Sequence, residues 1–418
     1  MTFRSSRWLL ATVAAGAVAA AGLGLANRIT TAGAAKSEAR NVILINGDGM
    51  AAAQREAARL YLAGLDGQLA MDELPYSGQL TTSPHDPRTP ITDSAAAATA
   101  WATGEKTYNG AISVDVDGNP LPTLGAQARA AGRATGLVTT AEVTDASPAA
   151  FFANTTDRSA QDEIARQYLE VTRPDVILGG GEDWWLPAGN AGAYPDRPAE
   201  DRSETSRGTR GDLVAEAKAK GYRYVSTAAQ LQGAKGGRLL GLFGNEELFQ
   251  QRPEGEGDVY APPVSLATMT EKALSTLSTN RKGFFLLVEE EGIDEFAHEN
   301  NGTRMLQALG ELEKAVAVAR TFAATHPDTL LVVTGDHECG GLTVEDTGTS
   351  DESGDGISAE DGPFPIKDSG QSFNLDWTTS GHSGADVPVT AYGPLAEQFT
   401  GKHPNTHVHD VLAQVLTR

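Results

Sequence analysis

Short, nearly uninterrupted apolar runs recur along the chain, each soon followed by glycine or acid: residues 41 to 46 (NVILIN), 136 to 140 (GLVTT), 175 to 178 (DVIL), 284 to 288 (FFLLV) and 329 to 334 (TLLVVT). A run without polar alternation suits a strand buried on both faces. Between the runs lie helical spacings, clearest in Met305, Leu306, Leu309, Leu312, Val316, Ala319 and Phe322, which fall three and four apart. Strand alternating with helix over the whole length predicts an α/β fold, with a mostly parallel central β-sheet flanked by helices on both faces.

Two segments break the pattern. Residues 182 to 211 and 344 to 370 are polar, rich in Gly, Pro and acid, and too short to be domains, so they read as surface loop insertions in one catalytic domain spanning 35 to 418. At the N-terminus, Arg4 and Arg7 precede an uncharged stretch from Trp8 to Asn27, and Ala32-Gly33-Ala34 has the small residues of a signal-peptidase site. Residues 1 to 34 therefore read as a signal peptide and the mature protein as secreted, with no stable membrane association. The competing reading is a retained anchor, but the stretch is rich in Ala and Gly rather than Leu and Ile.

With 418 residues, 40% of them hydrophobic, the chain can bury a large core. Its 33 Lys and Arg against 55 Asp and Glu, a formal charge of -22, exclude a nucleic-acid partner, whose phosphates need basic side chains. The single cysteine, Cys339, forbids an intrachain disulfide and removes every Cys-rich zinc motif. A bound metal would have to be held by His, Asp and Glu.

Ligands of an open parallel sheet bind outside the carboxyl ends of its strands, and here those ends carry chemistry. Asp48 follows the first run, Glu142 and Asp145 the second, Glu289 to Glu291 and Asp294 the run at 284 to 288, and Asp336-His337 the run at 329 to 334. Taken singly, each has a plain structural reading: a Gly-Asp-Gly turn, a solvated acidic run, an (i, i+4) pair of Asp294 and His298 on a helix surface. Their joint arrival at one sheet edge points to metal binding. Imidazole with carboxylate suits Zn²⁺, an all-oxygen set suits Mg²⁺, and two ions a few ångströms apart are a recurrent device for phosphoryl displacement.

A nucleophile would come from residues 92 to 104. Ser94 opens an Ala-rich helix closed by Gly104, and a helix N-terminus favours an anion such as phosphate. Asp93 or Ser94 could equally be a simple cap. No Gly-x-Ser-x-Gly elbow is present, so a metal-activated serine fits better than a hydrolase triad.

These pieces resemble the bacterial alkaline phosphatases. The similarity runs in order through NVILINGDGM at 41 to 50, TDSAAAATAWATGEKTYNGAISVD at 92 to 115, TTAEVTDASPAAFFANTTDR at 139 to 158, DVILGGG at 175 to 181, FFLLVEEEGIDEFAH at 284 to 298, VVTGDHE at 332 to 338 and GHSG at 381 to 384. The resemblance implies that Ser94 forms a phosphoseryl intermediate and that Arg158 grips phosphate oxygens. It implies one zinc on Asp294, His298 and His382, a second on Asp48, Asp336 and His337, and a magnesium on Asp48, Ser147 and Glu289 with Asp145 holding its waters. It also implies a homodimer.

The chain departs from that pattern at Glu295, where relatives carry Lys, His or Trp, and at Cys339, where better-known relatives carry a histidine. The second departure is read as altering the surroundings of the Asp48, Asp336 and His337 set. Ser147 replaces a threonine but keeps the hydroxyl. His403, His407 and His409 read as a surface group, and Trp184-Trp185 as an aromatic pair pinning a loop. The expected activity is hydrolysis of small-molecule phosphate monoesters, with Glu295 and the acidic loop pointing to cationic esters such as an aminoglycoside phosphate. The rivals are a phosphodiesterase or sulfatase of the wider superfamily, and a catalytically silent exported protein that binds metal or phosphate.

Overall fold

A computed structural model describes residues 38–197, 205–348 and 359–418. The segment read as a signal peptide, and part of each acidic insertion, lie outside the described residues. Ten strands form one sheet, edge to edge Gly401–Pro404, Tyr76–Thr81, Val387–Tyr392, Thr329–Thr334, Asn41–Gly47, Phe284–Glu290, Ala134–Glu142, Val176–Gly180, Arg238–Leu242 and Tyr222–Val225. Neighbours are parallel except along Val387–Tyr392, which runs antiparallel to both of its partners. The five strands expected from the apolar runs are the five contiguous central ones, from Thr329–Thr334 to Val176–Gly180.

Both faces of the sheet are covered, which explains why those runs lack alternation. Along Asn41–Gly47, Val42 and Leu44 enter one core with Trp101, Phe151 and Leu412, while Ile43 and Ile45 enter the other with Leu274, Leu309 and Leu312. Successive side chains point to opposite faces, and here each meets protein. The helix Gly302–Thr325 lays Met305, Leu306, Leu309, Leu312, Val316 and Ala319 on the second core. Ser94–Thr103 is buried at every position, so its alanines serve close packing as well as helix propensity. Asp93 caps it by accepting from the Ala96 N–H at 2.9 Å, and Gly104, at φ 79°, closes it in the left-handed region.

The segment 344 to 370 differs from the expected surface loop. Its described parts are strands: Leu342–Asp346 and Ala359–Pro365 flank Ser372–Trp377 in a three-stranded antiparallel sheet, and Phe364 and Ile366 are buried. A few inward-facing apolar residues suffice to seat such a sheet, and the surrounding acids mask them in composition. The described part of 182 to 211 has one short helical turn, Glu182–Trp185, and is otherwise irregular. Among the described residues no helix is long and apolar enough to cross a membrane.

Candidate active site

Four of the five central strands deliver their C-terminal residues to one edge. Asp48 leaves Asn41–Gly47, with its N–H held by the Glu290 carbonyl at 3.0 Å. Glu289 lies in register beside Asn46 and Thr139, and Asp336 and His337 follow Thr329–Thr334. Ser147 rides on the short helix Ala146–Phe152, which starts just beyond Ala134–Glu142. Asp294 and His298 stand one turn apart on Gly292–His298, and His382 sits in a two-residue strand paired with Glu338–Cys339.

Three of these residues form the first set. His298 Nε2 is 3.1 Å from Asp294 Oδ2 and 3.1 Å from His382 Nε2, which is itself 3.5 Å from Asp294 Oδ1. The other ring nitrogen is committed in both cases: His298 Nδ1 donates to the Ser380 carbonyl at 2.7 Å and His382 Nδ1 to the Thr92 carbonyl at 2.9 Å. A carbonyl only accepts, so each Nδ1 carries a proton, and whenever both rings are neutral each turns an Nε2 lone pair toward the other. Two lone pairs and a carboxylate converging in this way repel unless a cation or proton lies among them. The donor set therefore fits a metal of the zinc type. In the protein alone, burial pulls the His298 pKa down, but Asp294 outweighs it and lifts the imidazole to about 9.

A second set gathers around His337, which is fully buried. Its Nε2 lies 3.1 Å from Asp336 Oδ2, 3.5 Å from Asp48 Oδ1 and 3.1 Å from Ser94 Oγ. Its ring stacks on His382 with centroids 3.6 Å apart, which ties the two sets together. Buried oxygens of Asp48, Asp294 and Asp336 have no hydrogen-bond partner. Orphaned buried carboxylate oxygens call for an ion or a proton.

The third set is oxygen-rich. Ser147 Oγ donates to Asp48 Oδ2 at 3.3 Å, and Thr139 Oγ1 donates to Glu289 Oε2 at 2.7 Å. Asn46 Nδ2 bridges Glu289 Oε1 (3.3 Å) and Ser147 Oγ (3.4 Å). Asp145 receives Arg158 Nη2 on both oxygens, at 3.0 and 3.1 Å, and its charge also acts on Glu289. Arg158 Nη1 also lies 3.5 Å from Asp93 Oδ2, so the guanidinium is strung between two carboxylates beside Ser94.

Crowded acids set the electrostatics. Burial, then Asp336, Asp294 and Glu289, raise the pKa of Asp48 well above the carboxylate range. Burial likewise pushes Glu289 up to about 7. Burial also acts on Asp294, but its contacts with His298 and His382 prevail and hold it well below the usual value. Just outside, Glu295 is half-buried and pushed up to about 7 by burial and by Asp294.

A family profile described as alkaline phosphatase matches residues 39–364 and 366–418. The chain belongs to the alkaline phosphatase family. The family's enzymes are phosphoric monoester hydrolases and are metal-dependent. Streptomycin-6-phosphate phosphatase of Streptomyces griseus is 37% identical over 90% of this chain and 90% of its own length. Alkaline phosphatase of Escherichia coli K12 is 35% identical over 87% of this chain and 83% of its own. Among solved structures, a variant of the TAB5 alkaline phosphatase with Mg bound in the M3 site is 26% identical, with a TM-score of 0.70 over 91% of this chain and 99% of that one.

Within this alkaline phosphatase fold, Cys339 is not where the sequence reading set it. It lies with Asp294, His298 and His382, because Glu338–Cys339 pairs with His382–Ser383. Sequence reasoning passed over Asn46 and weighed Asp93 only as a helix cap. Asn46 is a buried amide ending an apolar strand, a position where a polar side chain needs a reason. Asp93 reads as an ordinary cap, and only the fold shows its second oxygen receiving the Gly110 N–H (2.8 Å) and facing Arg158.

The other aromatic and histidine groups stand apart from this chemistry. His403 and His407 stack at 4.0 Å, with their Nε2 atoms against the Thr400 and Gln398 carbonyls. Trp184 packs under Arg207, 4.5 Å from the ring centroid, and its Nε1 donates to Glu142 at 3.0 Å. Trp185 is fully buried.

Proposed function

We propose that this is an exported alkaline phosphatase that hydrolyses phosphate monoesters through a phosphoseryl intermediate on Ser94, using two zinc ions and one magnesium. The observation that carries the reading is the placement of Ser94. Its hydroxyl sits at the first position of a buried helix, 3.1 Å from His337 Nε2, and the preceding residue, Asp93, shares Arg158 with Asp145.

Asp294, His298 and His382 would hold one zinc, Asp48, Asp336 and His337 the other, and Asp48, Ser147 and Glu289 the magnesium with Asp145 nearby. When bound, these ions supply positive charge to the entering and leaving oxygens of an in-line displacement and assist deprotonation of the attacking hydroxyl. The side chains do the rest. Arg158 offers planar donors to two equatorial oxygens of the phosphoryl group, and the free N–H groups at the start of Ser94–Thr103 face the same anion. Ser94 Oγ bonds to phosphorus as the ester P–O bond breaks and the alcohol leaves. A water oxygen then bonds to phosphorus as the Oγ–P bond breaks, which releases phosphate and restores the serine. Metal analysis of the purified protein, with monoester turnover measured before and after chelation, tests the assignment. Ser94→Ala is expected to abolish turnover while metal content stays at wild-type level, and a variant as active as wild type would overturn the mechanism.

A cationic leaving group is the narrower reading. Glu295 follows Asp294 in the chain and feels the charge of Arg158, and the Streptomyces griseus relative is named for an aminoglycoside phosphate. A kcat/KM for an aminoglycoside phosphate no higher than for a simple aryl phosphate would sink it, as would a Glu295→Gln variant with an unchanged ratio. Turnover of a diester or sulfate matching that of the monoester would favour the wider-superfamily reading, and metal-loaded protein without turnover would favour the silent binder.

A further inference from the structure

Cys339 is the chain's one cysteine and is fully buried. A buried cysteine is usually a small apolar filler, and one flank of this residue does adjoin the apolar cluster that holds Leu342 and Trp377. Its thiol has other neighbours as well. The Sγ atom and one ligand atom each from Asp294, His298 and His382 all lie within 4.8 Å of one another. The pairing that puts it there is fixed by backbone: Cys339 is opposite His382 across the two-stranded sheet, and the Gly340 N–H donates to the Gly381 carbonyl at 3.0 Å. The cysteine therefore does not stand alone. Asp294 Oδ1, on a residue only 4% exposed, has no hydrogen-bond partner and faces into the same space. The two histidine Nε2 atoms converge there at 3.1 Å, with both Nδ1 protons already committed to carbonyls.

We propose that Cys339 is a fourth protein ligand at the Asp294, His298 and His382 site, and that the site thereby selects a zinc-type cation over magnesium or calcium. The inference rests on the metal assignment above. As the Sγ–metal bond forms, the S–H bond gives up its proton to bulk water, so ion uptake releases a proton and leaves a neutralising thiolate in the set. A soft thiolate added to imidazole and carboxylate favours zinc and disfavours the hard cations that prefer oxygen. The two oxygen-richer sets around Asp48 hold no sulfur. The thiolate would then sharpen a difference in hardness that the two, one and no histidines of the three sets already set up.

The test uses full-length protein loaded with zinc or cobalt. X-ray absorption at the zinc edge is expected to show a sulfur neighbour at about 2.3 Å. Cobalt-loaded protein is expected to show a thiolate-to-metal charge-transfer band that Cys339→Ser lacks. Zinc affinity of that variant should fall by more than the roughly 10- to 100-fold cost of losing an outer hydrogen bond to a ligand. A metal-loaded wild type with no sulfur neighbour and no such band overturns the proposal, and leaves the thiol as packing beside Asp294. The wild-type measurements need no variant, so a misfolded Cys339→Ser leaves the question decidable. Failure to take up any metal would instead overturn the metal assignment itself, while turnover with a sulfur-free zinc shell would overturn only the role of Cys339.

Discussion

Asp93 gives the sharpest test of how Ser94 and Arg158 are coupled. One of its oxygens accepts from the Ala96 N–H at 2.9 Å and caps the Ser94 helix, while the other receives the Gly110 N–H at 2.8 Å and lies 3.5 Å from Arg158 Nη1. Replacing it with alanine removes a cap worth about 1–2 kcal/mol and a hydrogen bond worth about 1 kcal/mol. Unfolding entropy scales with chain length, so 1 kcal/mol in a chain of this size shifts Tm by about 1 °C. Asp93→Ala should thus melt about 2–3 °C lower in a calorimetric scan. Arg158 keeps Asp145 but loses one brace, so its orientation loosens without its charge being lost. The expected result is a KM raised about 3- to 10-fold, equivalent to roughly 1 kcal/mol, and a smaller change in kcat. Asp93→Ser separates the two jobs: its hydroxyl can cap the helix but reaches neither Gly110 nor Arg158. It should recover most of the lost Tm and little of the lost KM. A serine variant that restores both would refute the coupling and reduce Asp93 to a cap.

Three further outcomes follow from the same geometry. Arg158→Ala should lower monoester kcat/KM by about 10- to 150-fold, the value of charge-assisted hydrogen bonds worth about 1.5–3 kcal/mol; a loss equally large with a diester would show that the arginine does not read monoester charge. Metal-free protein should become less stable as pH rises. Glu289 at about 7 and Glu290 at about 8 are raised above their unfolded values, so their contribution is complete below about pH 4.5 and is lost through about pH 7 to 8; Tm of chelated protein against pH checks this, and a Tm that climbs between pH 5 and 8 would contradict it. Leu287→Ala empties a fully buried position in a central strand and should cost about 2–5 kcal/mol in denaturant unfolding; a loss under about 1 kcal/mol would mean the core collapses onto the gap.

Much of the fold was legible because a strand buried on both faces is apolar at every position, so the five central strands announce themselves without alternation. The strand Tyr76–Thr81 and its neighbour at the edge, Gly401–Pro404, are not legible in this way. They read YSGQLT and GKHP and are mostly exposed or half-buried, so hydrophobicity does not mark them. The strands flanking the acidic segment after Leu342 were hidden for a related reason, since only a few of their residues face inward.

The sequence by itself determined which chemistry was available and at which sheet edge it would arrive: acids and imidazole just past apolar strands, a serine at the start of an alanine helix, and a single thiol. Spacing could put Asp294 and His298 on one face because one turn of helix separates them. It could not say that Asp145 would grip Arg158, that Asn46 would bridge Glu289 and Ser147, or that Asp93 would face the arginine. Nor could it place Cys339, which a two-residue strand pairing carries to His382, forty-three positions along the chain. Those partnerships depend on long-range register and on the directions in which short segments turn. Such directions are settled by packing against the completed sheet and leave no local pattern in the sequence.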